Sequence, residues 1–297
     1  MSRTVAVIPA SDLSPSELCA TVGALPTNWL IIISANGLPP STVQIASNLS
    51  SDRSVTVIES ETVLGKAEAV RRALDAALRV TTFDTAVQID GHAKQPPGQA
   101  VSVVAAVEQG ASMAVANRYA YQDLTYQPHR RAISCAVSLI IKTLVGVDLP
   151  DTACGLRAYS SSLAETFATD LVAYGYGLEA DQLCIAGMAR ASVCAVPVRS
   201  NHQADGTDTE KLEDVFHAIA LRARQAKASE AQCSALYEYI TALKRRVEFT
   251  IEFPWADMWS PVVMSYVGQV GDLSDAYSAR FVEPFSSGQA ATGSSLA

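Results

Sequence analysis

Short apolar runs recur along the first two thirds of the chain, and the segments between them carry apolar residues at helical spacing. Thr4 to Ala10 is β-branched and closed by Pro9, which predicts a buried strand. Trp29 to Ala35 predicts a second strand, ended by the turn signal Asn36-Gly37, and Val55 to Ile58 a third. Ala86 to Asp90, Ser112 to Ala116 and Ser192 to Val198 complete the series. Ser14-Pro15-Ser16-Glu17 combines an N-cap, a proline at the first helical position and an acid in the first turn, so a helix is expected from Pro15 to about Leu25. Further helices are expected over Ser41–Leu49, from Gly65-Lys66 with Val70, Ala73, Leu74, Ala77 and Leu78 on one face, over Gly98–Gln109, Ala132–Val147 and about Ser160–Ala168, and up to about Ala189. Residues 211–248 are charged and helix-forming, with Leu212, Val215, Ile219 and Leu221 as an apolar stripe.

Strand and helix alternate from Thr4 to Asn117. That order predicts an α/β fold with a mostly parallel central sheet, helices on both faces and a C-terminal helical extension. The expected division is a domain over 1–210, the extension over 211–285 and a disordered Ser/Gly/Ala-rich tail over 286–297. No internal repeat, Gly-x-Gly-x-x-Gly or Gly-x-x-x-x-Gly-Lys-Ser/Thr loop is present, which argues against a standard dinucleotide-binding or P-loop protein.

Composition narrows the function classes. Of the 297 residues 49% are apolar, enough for a sizeable core, and the formal charge of −8 argues against non-specific nucleic-acid binding. The six cysteines are scattered without a Cys-x-x-Cys pair, as expected for reduced thiols in a cytoplasmic protein. The chain reads straight into a strand, so no signal peptide is expected. No apolar run reaches the ~18 residues of a membrane span. Ala132–Val147 reads as a buried helix, with peripheral membrane contact as the minor alternative, and a homo-oligomer is compatible with the sequence.

The candidate chemistry centres on Ala86-Val87-Gln88-Ile89-Asp90-Gly91-His92-Ala93-Lys94-Gln95-Pro96-Pro97. An apolar strand ends in one carboxylate, framed by a proline loop, where an open α/β sheet places ligand chemistry. Arg118, His129, Arg130 and Arg131 form a local basic group in an acidic chain; a guanidinium offers a planar fork for phosphate. Ser134 could add a hydroxyl to a phosphate or sit buried in its helix.

The order of motifs resembles the family 2 glycosyltransferases of the GT-A fold, nearest the dolichyl-phosphate mannose synthase and polyprenyl-phosphate glycosyltransferase group. Five motifs over residues 4 to about 200 carry the resemblance. They are Val7-Ile8-Pro9; Leu64-Gly65-Lys66 before an Ala-rich helix; the Ile89–Pro97 stretch; Ala116-Asn117-Arg118-Tyr119 with His129-Arg130-Arg131-Ala132-Ile133-Ser134; and Asp151-Thr152-Ala153-Cys154-Gly155-Leu156-Arg157-Ala158-Tyr159. The resemblance implies an inverting transfer from a nucleoside diphosphate sugar. Pro9, Ala35 and Asn36 would then lie at the nucleoside. Lys66, Gly91, Lys94, Arg118, Arg130, Arg131 and Ser134 would lie at the donor and phosphate groups, and Asp90 with His92 at a divalent metal. It also implies an acid near the acceptor, for which Glu179 and Asp181 are candidates; a hydroxyl acceptor needs such a base and a phosphate acceptor does not. Asp151 either orients the acceptor or caps the turn before Gly155. His202 matches a late metal-ligand position in some relatives and otherwise reads as a loop histidine.

Three departures bear on the chemistry. Asp90-Gly91-His92 stands where the family shows Asp-x-Asp, Lys94 where a glutamine often completes the metal shell, and Ser34-Ala35-Asn36-Gly37 where an acidic pair reads the base. Three readings follow. The enzyme uses Mn²⁺, which imidazole ligates better than Mg²⁺; or it works with a weak or absent metal requirement, through Lys94, Arg118 and Arg131; or it is a catalytically silent nucleotide-sugar- or partner-binding module. The acceptor stays open between a polyprenyl phosphate and a soluble small molecule or glycan.

Overall fold

The computed structural model describes residues 3–11, 13–49, 53–90, 97–121, 128–199 and 209–226. The elements alternate as β1 (Thr4–Ala10), α1 (Pro15–Gly23), β2 (Leu30–Asn36), α2 (Pro40–Asn48), β3 (Val55–Ser60), α3 (Lys66–Val80), β4 (Thr85–Gln88), α4 (Ala100–Glu108) and β5 (Met113–Asn117). Then follow α5 (Pro128–Val145), β6 (Arg157–Ser160), α6 (Ser161–Asp170), α7 (Leu178–Met188), β7 (Val193–Pro197) and α8 (Thr209–Gln225). The sheet order is β3-β2-β1-β4-β6-β5-β7. All neighbouring pairs are parallel except the two made by β6, which runs against both β4 and β5.

The central strands β1, β2, β4 and β5 are buried at nearly every successive residue, so both sheet faces are covered, and their sequences read as continuous apolar runs. The edge strands β3 and β7 are only partly buried. Pro9 falls in β1 beyond Val7, the last residue paired to β4, so its missing N–H removes no bond on that side. Helix α3 presents Ala67, Val70, Ala73, Leu74 and Ala77 to the core, a stripe of helical period that reads directly from the sequence. Helix α1 starts with the capping box its sequence predicts: Ser14 Oγ accepts from Glu17 N (3.3 Å), and Glu17 Oε2 accepts from Ser14 N (3.0 Å). Ser14→Ala should cost about 0.5–2 kcal/mol, read as a lower midpoint in chemical denaturation with an unchanged m-value.

Two expectations need correction. Arg157–Ser160 is a further strand, missing from the series expected from the sequence: Arg-Ala-Tyr-Ser has no apolar run, yet Arg157, Ala158 and Tyr159 are fully buried. On α8 Ile219 is buried and Val215 packs against the core as expected, but the inner face also takes Phe216, Ala218, Arg222 and Ala223, while Leu221 is only half-buried. Cys19, Cys154, Cys184 and Cys194 are free thiols, and burial pushes the Cys154 and Cys184 thiols up to about 12, which keeps them unreactive near neutral pH. Among the described residues no helix is long and apolar enough to cross a membrane.

Candidate active site

The reversed strand β6 shapes the site. Its first residue, Arg157, pairs with Gln88 at the end of β4 and with Val115 near the end of β5. The loop leading into β6 therefore crosses the same sheet edge at which the parallel strands β1 to β5 end. Gly155 then sits against Asp90, and Asp151 against Arg118. A Cβ built on Gly155 would lie 2.0 Å from Asp90 Oδ2, so only glycine admits the carboxylate there. Gly155→Ala should lower turnover roughly 100-fold by turning Asp90 aside. Overpacking at that point should destabilise the fold by only about 1–3 kcal/mol. Steady-state rates beside thermal melts would check this, and retained activity would mean that the contact is not part of the working geometry.

Lys66 joins two acids. Its Nζ lies 2.7 Å from Asp90 Oδ1 and 2.5 Å from Glu179 Oε1. A cation in the first turn of α3 opposes the helix dipole, whereas Glu179 in the first turn of α7 is favoured by it. Burial works against the charge on Lys66, but Asp90 and Glu179 outweigh it and hold the ammonium above its ordinary range. The preceding residue, Gly65, has φ +81°, and the backbone of Gly175 packs where its side chain would begin. Asn36 fixes this turn: its Oδ1 accepts from Leu64 N (2.6 Å) and its Nδ2 donates to Gly65 O (3.4 Å). The buried Asn36 thus supports the loop that presents Lys66, and Ala35 beside it is buried as well.

Arg118 forks onto Asp151, donating from Nε and Nη2 at 2.7 Å each, and its backbone N–H adds a third bond at 3.1 Å. Asp151 is 1% exposed, so its carboxylate is committed to Arg118. Asp181 is committed elsewhere. One oxygen accepts from the N–H groups of Val172 and Ala173 (2.8 Å each), and the other accepts from Arg222 Nε at 2.5 Å. The structure therefore joins Glu179, and not Asp181, to Asp90.

Arg157 organises the centre. Fully buried, it donates to the carbonyls of Thr152, Cys154 and Glu179 and to Gln182 Oε1, at 2.6–3.2 Å. Gln182 in turn donates to Gln88 Oε1 (3.0 Å), and Gln88 donates to Gly155 O (3.3 Å). This network ties the end of β4, the loop before β6 and the first turn of α7 into one unit. Sequence reading assigned no role to Arg157, Gly155, Gln88 or Gln182. The available signals were an arginine directly after an apolar residue in the 151–159 segment, and a glutamine inside the apolar run that ends at Asp90.

Gly91, His92 and Lys94 lie outside the described residues, as does His202. Arg130, Arg131 and Ser134 belong to the first turns of α5, where only the backbone is described. Among the described residues no three His, Cys, Asp or Glu side chains converge as a metal site. Two carboxylates, Asp90 and Glu179, do converge on one ammonium. A hard divalent ion taking one or two carboxylates and completing its shell with diphosphate oxygens and water fits that donor set.

Comparison with known proteins gives consistent results. The sequence model of the glycosyl transferase family 2 matches residues 17–166. No curated protein matches significantly by sequence. Among solved structures the chain is similar to glucosyl-3-phosphoglycerate synthase from Mycobacterium tuberculosis in complex with uridine diphosphate, with TM-score 0.54, 21% identity, and 75% of this chain and 80% of that one covered. Mannosyl-3-phosphoglycerate synthase from Rubrobacter xylanophilus gives TM-score 0.56 and 18% identity over 88% of this chain and 80% of that one. TarS of S. aureus, in complex with UDP-GlcNAc, gives TM-score 0.52 and 13% identity over 97% and 93%. At these identities the likeness concerns the fold, a mixed sheet of the GT-A type.

Proposed function

The chain belongs to glycosyl transferase family 2 and is a glycosyltransferase, and from that premise we propose that it moves a sugar, with inversion, from a nucleoside diphosphate onto a hydroxyl of a soluble acceptor. The observation that carries the reading is the Asp90–Lys66–Glu179 cluster at the edge where the parallel strands end. The donor diphosphate lies over Asp90 and Lys66, with Pro9 and the Ala35–Asn36 end of β2 on the nucleoside side. The acceptor oxygen attacks the anomeric carbon as the bond to the diphosphate breaks, and the acceptor's proton passes to Glu179. Negative charge growing on the leaving diphosphate is met by the Lys66 ammonium, with Lys94, Arg130 and Arg131 as further cations. A divalent ion held by Asp90 and His92 supplies additional positive charge there when bound.

A hydroxyl acceptor is favoured over a lipid phosphate because Glu179 is held beside Asp90, and a phosphate would need no base. Two of the structural relatives are a glucosyl-3-phosphoglycerate synthase, solved with phosphoglyceric acid, and a mannosyl-3-phosphoglycerate synthase, and another relative was solved with UDP-GlcNAc; a UDP-linked donor and a small hydroxy-acid acceptor head the panel on that ground. The test incubates the full chain with UDP- and GDP-sugars, with Mn²⁺, with Mg²⁺ and with chelator, following thermal shift and slow donor hydrolysis. A shift and turnover with one nucleotide class support the reading. No shift with any nucleotide would overturn it, and binding without turnover would favour the silent module. Full activity in chelator would remove the metal and leave the charge stabilisation to the cations.

A further inference from the structure

The placement of Lys66 has a consequence for how the site loads. Its ammonium contacts Asp90 Oδ1 at 2.7 Å and Glu179 Oε1 at 2.5 Å, so both oxygens lie within reach of a single cation. The three residues come from the start of α3, the segment just past β4 and the start of α7, and each is anchored from behind. Asn36 holds the turn before Lys66, Gly155 packs against Asp90, and Arg157 binds the backbone of Glu179. The acids therefore cannot drift far apart if the ammonium leaves. Two carboxylates held this closely repel one another, which favours a cation between them. The lysine side chain is flexible and 19% exposed, so it can turn outward without disturbing the backbone.

We infer that Lys66 is an exchangeable counter-ion: without donor it occupies the gap between Asp90 and Glu179 and keeps a divalent ion out, and the arriving diphosphate draws the ammonium away. Its departure opens Asp90 to the divalent ion and Glu179 to the acceptor hydroxyl. Metal and nucleotide then bind with positive coupling, and the acceptor's base is unmasked only after the donor is in place. The inference rests on the donor reading above and adds an order of events to it.

The test titrates Mn²⁺ into the full chain, following the electron paramagnetic resonance signal of the free ion, without nucleotide and with UDP or GDP. Wild type is expected to bind Mn²⁺ about tenfold more tightly with nucleotide than without. Nucleotide-free Lys66→Met should bind Mn²⁺ about tenfold more tightly than nucleotide-free wild type, with little further gain from nucleotide. Its melting temperature should fall in chelator and recover with Mn²⁺, because the ion binds the folded state and replaces the missing charge. Lys66→Gln, which keeps N–H donors without charge, is the second variant should Lys66→Met fold poorly. Equal Mn²⁺ affinity in wild type and either folded variant overturns the inference. So does failure of both variants to fold even with Mn²⁺, which would make Lys66 a fixed structural cation. Thermal shift of wild type with UDP or GDP separates the two levels: its absence removes the donor reading, whereas its presence with unchanged Mn²⁺ affinity removes only the exchange.

Discussion

Replacing Asp90 by asparagine is expected to lower donor turnover by about two to three orders of magnitude, because the carboxylate that holds the Lys66 ammonium, and would hold a divalent ion, beside the leaving diphosphate is neutralised. The substitution keeps the side chain's size, so Gly155 still admits it, and Lys66 keeps Glu179 as its partner. The fold should therefore persist, with a small change in melting temperature. The measurement is the rate of nucleotide release from the donor, with and without acceptor, beside circular dichroism of the variant. A rate within a few-fold of wild type in a folded Asp90→Asn protein would move the chemistry away from the end of β4. The contrast with Asp181 sharpens the test. Asp181 is buried against Arg222 and two backbone N–H groups, so its loss should appear as instability and not as a specific defect in a folded enzyme.

The second large effect concerns stability. Arg157→Met should destabilise the protein by about 3–5 kcal/mol, since several buried acceptors are left without a donor at about 1–3 kcal/mol each before the structure relaxes. A methionine fills much of the space, but the carbonyls of Thr152, Cys154 and Glu179 and the amide oxygen of Gln182 lose their donor in a buried place. For a domain of this size that shift lowers Tm by roughly 10 °C. Arg157→Lys should recover little, because one ammonium cannot span four acceptors that a planar fork reaches together. Calorimetry reads the global effect. Hydrogen exchange reads the local one, expected first at residues 152–155 and at the start of α7. An Arg157→Met protein melting within 2 °C of wild type would mean that the network is peripheral.

The course of the chain through β1 to β5 was legible because each strand is an apolar run bounded by a turn or a cap, and the capping box at Ser14 and the stripe of α3 read just as directly. Strand β6 was not legible. Its buried arginine is satisfied by the preceding loop's Thr152 and Cys154 carbonyls together with Glu179 and Gln182 from α7, a fold-made enclosure, so locally it looks like solvent-facing polarity. The site shows the same division. Asp90, Lys66, Arg118, Asp151, Glu179 and Asp181 were each visible as chemistry, but their pairings were not. Lys66 and Glu179 stand 113 residues apart, and nothing in either local pattern says that they form an ion pair. Asn36 looked like a ligand to the nucleoside because it ends a strand at the functional edge. Its amide also holds the Leu64–Gly65 turn, a role that depends on a loop the strand pattern cannot place.

Helix α8 reaches back to this edge. Asp214 Oδ2 accepts from Tyr176 N at 2.8 Å, and Arg222 bonds Asp181 and the carbonyl of Asp170. The turn carrying Tyr176 leads directly into Glu179, so the acid's mounting is finished by side chains more than thirty residues downstream. During synthesis the chain emerges from its N-terminal end, and every strand of the sheet is available before Arg222 is. Until that arginine arrives, Asp181 is a carboxylate facing an apolar interior without its counter-charge. A ribosome paused just past β7 would therefore hold a nearly complete sheet with an unfinished catalytic rim, and the enzyme's competence would begin with the release of α8.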